Sequence, residues 1–195
     1  MRRFTVLLFS ILFAAGAVSA RAQVVAAATA RQFSITAGGI ASIFQTDYEG
    51  DRQPPSFQYP VAHASPYPLI GAGAYVDVKF KRWVQLEAEG RWLRFNQYRG
   101  TTQDNYLIGP RVPVLHFWRS SVYAKALGGY AKMYFDSFGN KGSFTDLAFG
   151  GGMDVNLTKR LSLRAVDFEY QYYPKWSNST LSPYGASVGI GYKLF

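Results

Sequence analysis

Residues 83 to 93 read WVQLEAEGRWL. Taken alternately, they separate into two sets: Val84, Leu86, Ala88, Gly90 and Trp92 on one side, Gln85, Glu87, Glu89 and Arg91 on the other. A period of two belongs to an extended strand, whose successive side chains point to opposite faces. A helix would scatter the same residues around its axis. Charges of both signs line one face, while a tryptophan and aliphatic residues line the other. The strand therefore lies between two very different surroundings.

The same alternation recurs along the chain. QFSITAGGIASIF (32 to 44) places Phe33, Ile35, Ala37, Ala41 and Ile43 together. LIGAGAYVDVKF (69 to 80) sets Ile70, Ala72, Ala74, Val76, Val78 and Phe80 against Gly71, Gly73, Tyr75, Asp77 and Lys79. In NYLIGPRVPV (105 to 114), Tyr106, Ile108, Val112 and Val114 oppose Asn105, Gly109 and Arg111. Pro110 and Pro113 cannot donate to a ladder, so a bulge or an early strand end is predicted there. SVYAKALGGYAKM (121 to 133) opposes Tyr123 and Lys125 to Val122, Ala124 and Ala126. FTDLAFGGGMDVNL (144 to 157) opposes Leu147, Phe149, Met153 and Val155 to Asp146, Gly150, Gly152, Asp154 and Asn156. LSLRAVDFEYQYY (161 to 173) breaks the rule once, because Arg164 has the opposite parity from Asp167, Glu169 and Gln171. One extra residue near Ala165-Val166 would bring all four to one face, which predicts a β-bulge. The last segment is SVGIGYKLF (187 to 195).

Short turns near 81, 117 and 159 alternate with longer polar loops at 45 to 67, 96 to 104, 134 to 143 and 174 to 183. An even number of antiparallel strands, short turns at one end and long loops at the other describe an all-β, eight-stranded, up-and-down transmembrane β-barrel. Eight strands leave an interior only wide enough for side chains.

The chain has 195 residues, room for one domain with a core. Arg2 and Arg3, the apolar run 4 to 18 and the small-x-small triplet Ala20-Arg21-Ala22 predict a secretory signal peptide over 1 to 22, cut after Ala22 or Ala20. The barrel then occupies 23 to 195. The apolar run is short for a helix that spans and stays. Without cysteine there is no disulfide scaffold, no thiolate metal site and no Cys nucleophile. Losing Arg2, Arg3 and Arg21 takes the formal charge from +9 to +6. For an exported chain that excess fits an acidic surface, lipopolysaccharide or anionic lipid, rather than nucleic acid.

Periodicity alone fits two barrels. A soluble lipocalin-like barrel turns its apolar face inward, whereas an outer-membrane barrel turns it to lipid. The glycines favour the membrane. Gly71, Gly73, Gly109, Gly129, Gly150, Gly152, Gly189 and Gly191 share the polar face, where a narrow lumen must make room for long side chains. That face carries Asp77, Glu87, Glu89, Asp154, Asp167 and Glu169 together with Arg91, Arg111, Lys125 and Arg164. Opposite charges can compensate one another in a closed lumen, where an unpaired charge is costly. Aromatics gather near strand ends (Phe80, Trp83, Trp92, Phe95, Tyr106, Phe117, Trp118, Tyr172, Tyr173), as an interface girdle requires.

WVQLEAEGRW, NYLIGPR, VYAKALGGY, GGGMDVNLTKRLSLRAVDFEY and SVGIGYKLF, in this order and spacing, resemble the outer-membrane β-barrel domain family. Within it, they resemble the small eight-stranded group that includes the OmpA-like transmembrane barrel, over essentially the whole chain after the leader. The resemblance implies insertion by the barrel assembly machinery, which reads a polar-x-Gly-x-x-apolar-x-apolar terminal strand. Ser187, Gly189, Tyr192 and Leu194 match that pattern, with Phe195 one residue beyond it. A monomer with no cofactor is expected, and the peptidoglycan-binding domain of full OmpA-type proteins is not.

Candidates for chemistry are few. His63 and Ser65, with Glu49 or Asp77 as a third member, would suit a lipid A-modifying enzyme, yet they fall in a proline-rich loop, where catalytic geometry is hard to hold. His116 falls in a short turn, and two unpatterned histidines do not make a metal site. The expected role is non-enzymatic, in envelope integrity or adhesion through surface loops. A narrow pore for a small ligand is the alternative.

Overall fold

The computed structural model describes residues 33–46, 68–81, 83–96, 100–135, 140–176 and 179–195. Its long strands are β1 (Ser34–Gln45), β2 (Pro68–Lys81), β3 (Val84–Leu93), β4 (Thr101–Phe117), β5 (Ser120–Phe135), β6 (Asn140–Asn156), β7 (Leu161–Trp176) and β9 (Tyr184–Lys193). A three-residue strand, β8 (Ser179–Leu181), pairs only with β7. Each long strand pairs antiparallel with the next. β9 returns to β1 and closes an eight-stranded barrel. Closure satisfies the N–H and C=O groups that a flat sheet would leave open along two edges, a requirement in lipid.

The two faces separate as the alternation predicts. Val188, Ile190, Phe149, Phe168, Ile108 and Val112 are exposed on the outer surface. Glu87, Arg91, Lys125, Arg164, Asp167 and Glu169 are buried within. A lipocalin-like barrel would show the reverse.

Two irregularities follow from the sequence. On β6, Met153 pairs with Val166 but the next residue, Asp154, pairs with Arg164, which leaves Ala165 as an extra residue. The β9 ladder skips at the same place, from Arg164 to Asp167. This bulge keeps Arg164, Asp167, Glu169 and Gln171 all inside. In β4 the register shifts between Pro113 and Leu115, so a bulge is present, but the strand runs on to Phe117. Past the extra residue Val114, Leu115, His116 and Phe117 still pair with β5.

Several strands exceed the predicted spans. β4 begins at Thr101, β5 runs to Phe135, and β6 begins at Asn140, inside stretches whose polarity reads as loop. There the outward positions are polar (Thr102, Asp104, Ser143), and backbone pairing continues above the apolar band. The stretch 174 to 183 holds the end of β7 and β8, and Leu181 turns inward. At the other end, Trp118 sits in the turn between β4 and β5 with φ 50°, a left-handed conformation uncommon for a non-glycine residue. The Arg119 guanidinium reaches across to the Leu157 carbonyl and ties this turn to the next.

Candidate functional site

The lumen is built in layers, each supplied by inward positions of several strands. Nearest the short turns, the Arg111 guanidinium reaches Asp77 (2.5 Å), Glu87 (3.2 Å) and Asp154. Arg164, beside it, reaches Asp77 (3.1 Å), Glu87 (3.0 Å) and Asp167 (3.2 Å). Above them Lys125 Nζ lies 3.2 Å from Glu87, 3.2 Å from Glu89, 2.7 Å from Asp167 and 3.0 Å from Glu169. Arg91 spans Glu169 (2.9 Å) and Glu89. All ten charged residues assigned to the inner face thus belong to one connected network.

The oxygens of Glu87, Glu89 and Asp167 approach closely enough to hold a cation. The Lys125 ammonium occupies that place, with Glu169 as a fourth carboxylate. Multiple charge-assisted bonds are what a buried ion needs, because desolvation alone is costly.

Two tyrosines explain several inner-face glycines. The Tyr75 ring lies against Gly38, and its hydroxyl against Gly191, where a Cβ would collide. Its other side carries the Arg164 guanidinium, 3.7 Å from the ring centroid. Tyr123 repeats the arrangement, with its hydroxyl beside Gly152 and Arg111 3.5 Å from its ring centre. Each glycine–ring–guanidinium stack fills the bore and stabilises the cation over a π face. Elsewhere the backbone itself is the obstacle. A Cβ on Gly109 would meet the Ala126 carbonyl and Leu127 Cα, and one on Gly150 would meet the Phe168 carbonyl.

Toward the long loops the charges give way to amides. Gln103 Nε2 donates to Asn105 (3.1 Å) and to the Tyr173 hydroxyl (3.0 Å). Asn105 Nδ2 donates to Asp146 (2.7 Å), and the Tyr173 hydroxyl donates to Gln171 (2.7 Å). Higher still, two buried apolar clusters close the section: Phe44, Leu69 and Leu93, and Ala131, Met133, Tyr173 and Leu181. Asp146 shares its parity with Asp154, so alternation alone places it inside; Leu181 lies in a stretch with no alternation to read.

Other candidates are dispersed. His63, Ser65 and Glu49 lie outside the described residues. Asp77 is held in the lumen by Arg111 and Arg164. His116 is at the end of β4, not in the turn, with Nε2 3.3 Å from Ser121 Oγ. In β9, Ser187 faces inward, its Oγ 2.8 Å from Ser42 Oγ, and Gly189 packs on Gly39. Tyr192 and, beyond the strand, Leu194 and Phe195 are exposed.

These features define a closed, lipid-facing β-barrel with a polar, side-chain-filled interior. The chain belongs to the outer membrane protein beta-barrel domain family, whose model matches residues 10–193. Solved structures share the fold at low identity. Neisserial surface protein A superposes with a TM-score of 0.54 at 12% identity, covering 83% of this chain and 96% of that one. The N-terminal barrel of Pseudomonas aeruginosa OprF gives 0.54 at 11%, covering 82% and 97%. P. aeruginosa OprG gives 0.55 at 12%, covering 84% and 96%. No curated protein matches the chain in sequence.

Proposed function

We propose that this is a non-conducting, non-enzymatic barrel of the bacterial outer membrane, which supports the envelope and presents its long-loop end outward for surface contacts. Residues 1 to 22 are the export signal removed on the way, and the barrel works as a monomer inserted by the assembly machinery through Ser187, Gly189, Tyr192, Leu194 and Phe195. The observation that carries the reading is the filled cross-section. Glu87, Gln103, Arg164 and Gln171 have no solvent exposure, although they come from β3, β4 and β7: Arg164 bonds Glu87 and Gln103 bonds Gln171 across the bore, at two levels. A conducting path needs a wet, weakly held lining; here the lining side chains are bonded to one another.

Planar-bilayer recording tests it. Refolded protein should give no stable single-channel steps. Reproducible steps that persist at low protein concentration would establish the pore instead.

A further inference from the structure

The positive excess of the chain is not spread evenly. In the lumen, acids outnumber bases: Asp77, Glu87, Glu89, Asp146, Asp154, Asp167 and Glu169 against Arg91, Arg111, Lys125 and Arg164. At the long-loop end Arg94 is paired with Asp104, and Lys132 lies near the Tyr106 and Tyr130 rings. The short-turn end is different. Lys79, Arg119, Lys159, Arg160 and Lys193 ring it, and among the described residues the acidic side chain nearest that rim, Asp154, turns into the lumen and pairs with Arg111 and Arg164. Each of these bases except Lys79 is exposed. Arg160 Nη1 rests against the outward Tyr192 hydroxyl at 3.2 Å, so its charge sits on the lipid side of the barrel wall.

Exposed aromatics lie at the same level. Phe33 and Phe80 pack together with ring centres 6.1 Å apart, and Trp83, Phe117, Trp118, Leu194 and Phe195 share that end of the wall. Amphipathic rings mark the depth of the headgroups. Cations interleaved with them stand at phosphate depth, not free in water beyond the membrane.

We infer that this rim is a binding surface for the anionic phospholipid headgroups of the leaflet it meets. It rests on the reading of a membrane-spanning barrel. In this family the short turns face the periplasm, so the leaflet is the inner one and not the lipopolysaccharide layer. Basic residues at an anionic surface each raise its occupancy roughly fivefold, and salt screens the effect.

The test uses the full-length folded chain, with Trp92→Phe and Trp176→Phe so that Trp83 and Trp118 report alone. It is reconstituted in vesicles whose two leaflets are identical, so the direction of insertion does not matter. Quenching by brominated phosphatidylglycerol is compared with quenching by brominated phosphatidylcholine. Phosphatidylglycerol should be preferred by about fivefold or more, and about 0.5 M NaCl should remove most of the preference. Lys159→Gln, Arg160→Gln and Lys193→Gln together should abolish it, while Arg94→Gln with Lys132→Gln leaves it intact. Both sets must keep the heat-dependent gel shift of the folded barrel. Equal quenching by the two lipids, or a preference that survives the triple change, overturns the inference. Salt-sensitive binding to peptidoglycan sacculi without any lipid preference overturns it too. A conducting barrel that kept the lipid preference would refute only the functional proposal.

Discussion

Tyr75 shows how much a single inner position carries. Its ring is held between Gly38 on one side and Arg164 on the other. Any Cβ at Gly38 would collide with both that ring and the Ile190 carbonyl. Gly38→Ala should therefore cost about 1–3 kcal/mol, the usual range for overpacking, read as a lower urea midpoint for unfolding from vesicles. Gly39, one residue on, faces the other way and has only ordinary contact distance to the Gly73 carbonyl, so Gly39→Ala is the matched control. Lys125 carries a larger consequence. Lys125→Met leaves Glu87, Glu89, Asp167 and Glu169 without their shared cation, and about 3–5 kcal/mol of stability should be lost in the same measurement. The sequence placed glycines and mixed charges on one face by parity alone. Which glycine serves which ring was beyond it, because the partners come from different strands and are set by barrel stagger.

Among the elements, β7 is the most instructive. Its bulge at Ala165 was legible because parity had to be repaired between Arg164 and Asp167 if every charge was to face the lumen. Deleting Ala165 removes the repair. Either Arg164 or the trio Asp167, Glu169 and Gln171 must then face lipid, where an arginine at mid-depth costs about 2–4 kcal/mol. The deletion variant should give no heat-resistant band on an SDS gel; a normal band would show that the bulge is dispensable. Strand ends were less legible. Above the apolar band the outward positions of β4, β5 and β6 turn polar while Ala131, Met133 and Phe144 face inward, so the apolar-out, polar-in alternation is lost although pairing persists. The inward fold of β8 was invisible for a related reason. Leu181 is one apolar residue in a polar stretch, and only its contacts with Ala131, Met133 and Tyr173 reveal it as part of the stopper. Leu181→Asp should loosen that end, read as faster backbone hydrogen exchange at Met133 and Tyr173 than in the unmodified chain, with exchange near Arg164 unchanged.

At the scale of the whole molecule, the seam between first and last strands determines what exists. Ser42 and Ser187 meet across it although 145 positions separate them in the chain. The other long strands pair with near neighbours in sequence, so hairpins can form locally. The seam cannot form until β9 has been made. Chains cut short at residue 183 should therefore give no heat-resistant form, even with seven long strands present, since two edges would stay open in lipid. The seam also has a consequence for synthesis. A ribosome that stalls late releases a polypeptide with most of the barrel's contacts and no closed state to occupy. Finished and unfinished chains thus differ sharply, since only the finished one leaves no open edge for another strand to pair with.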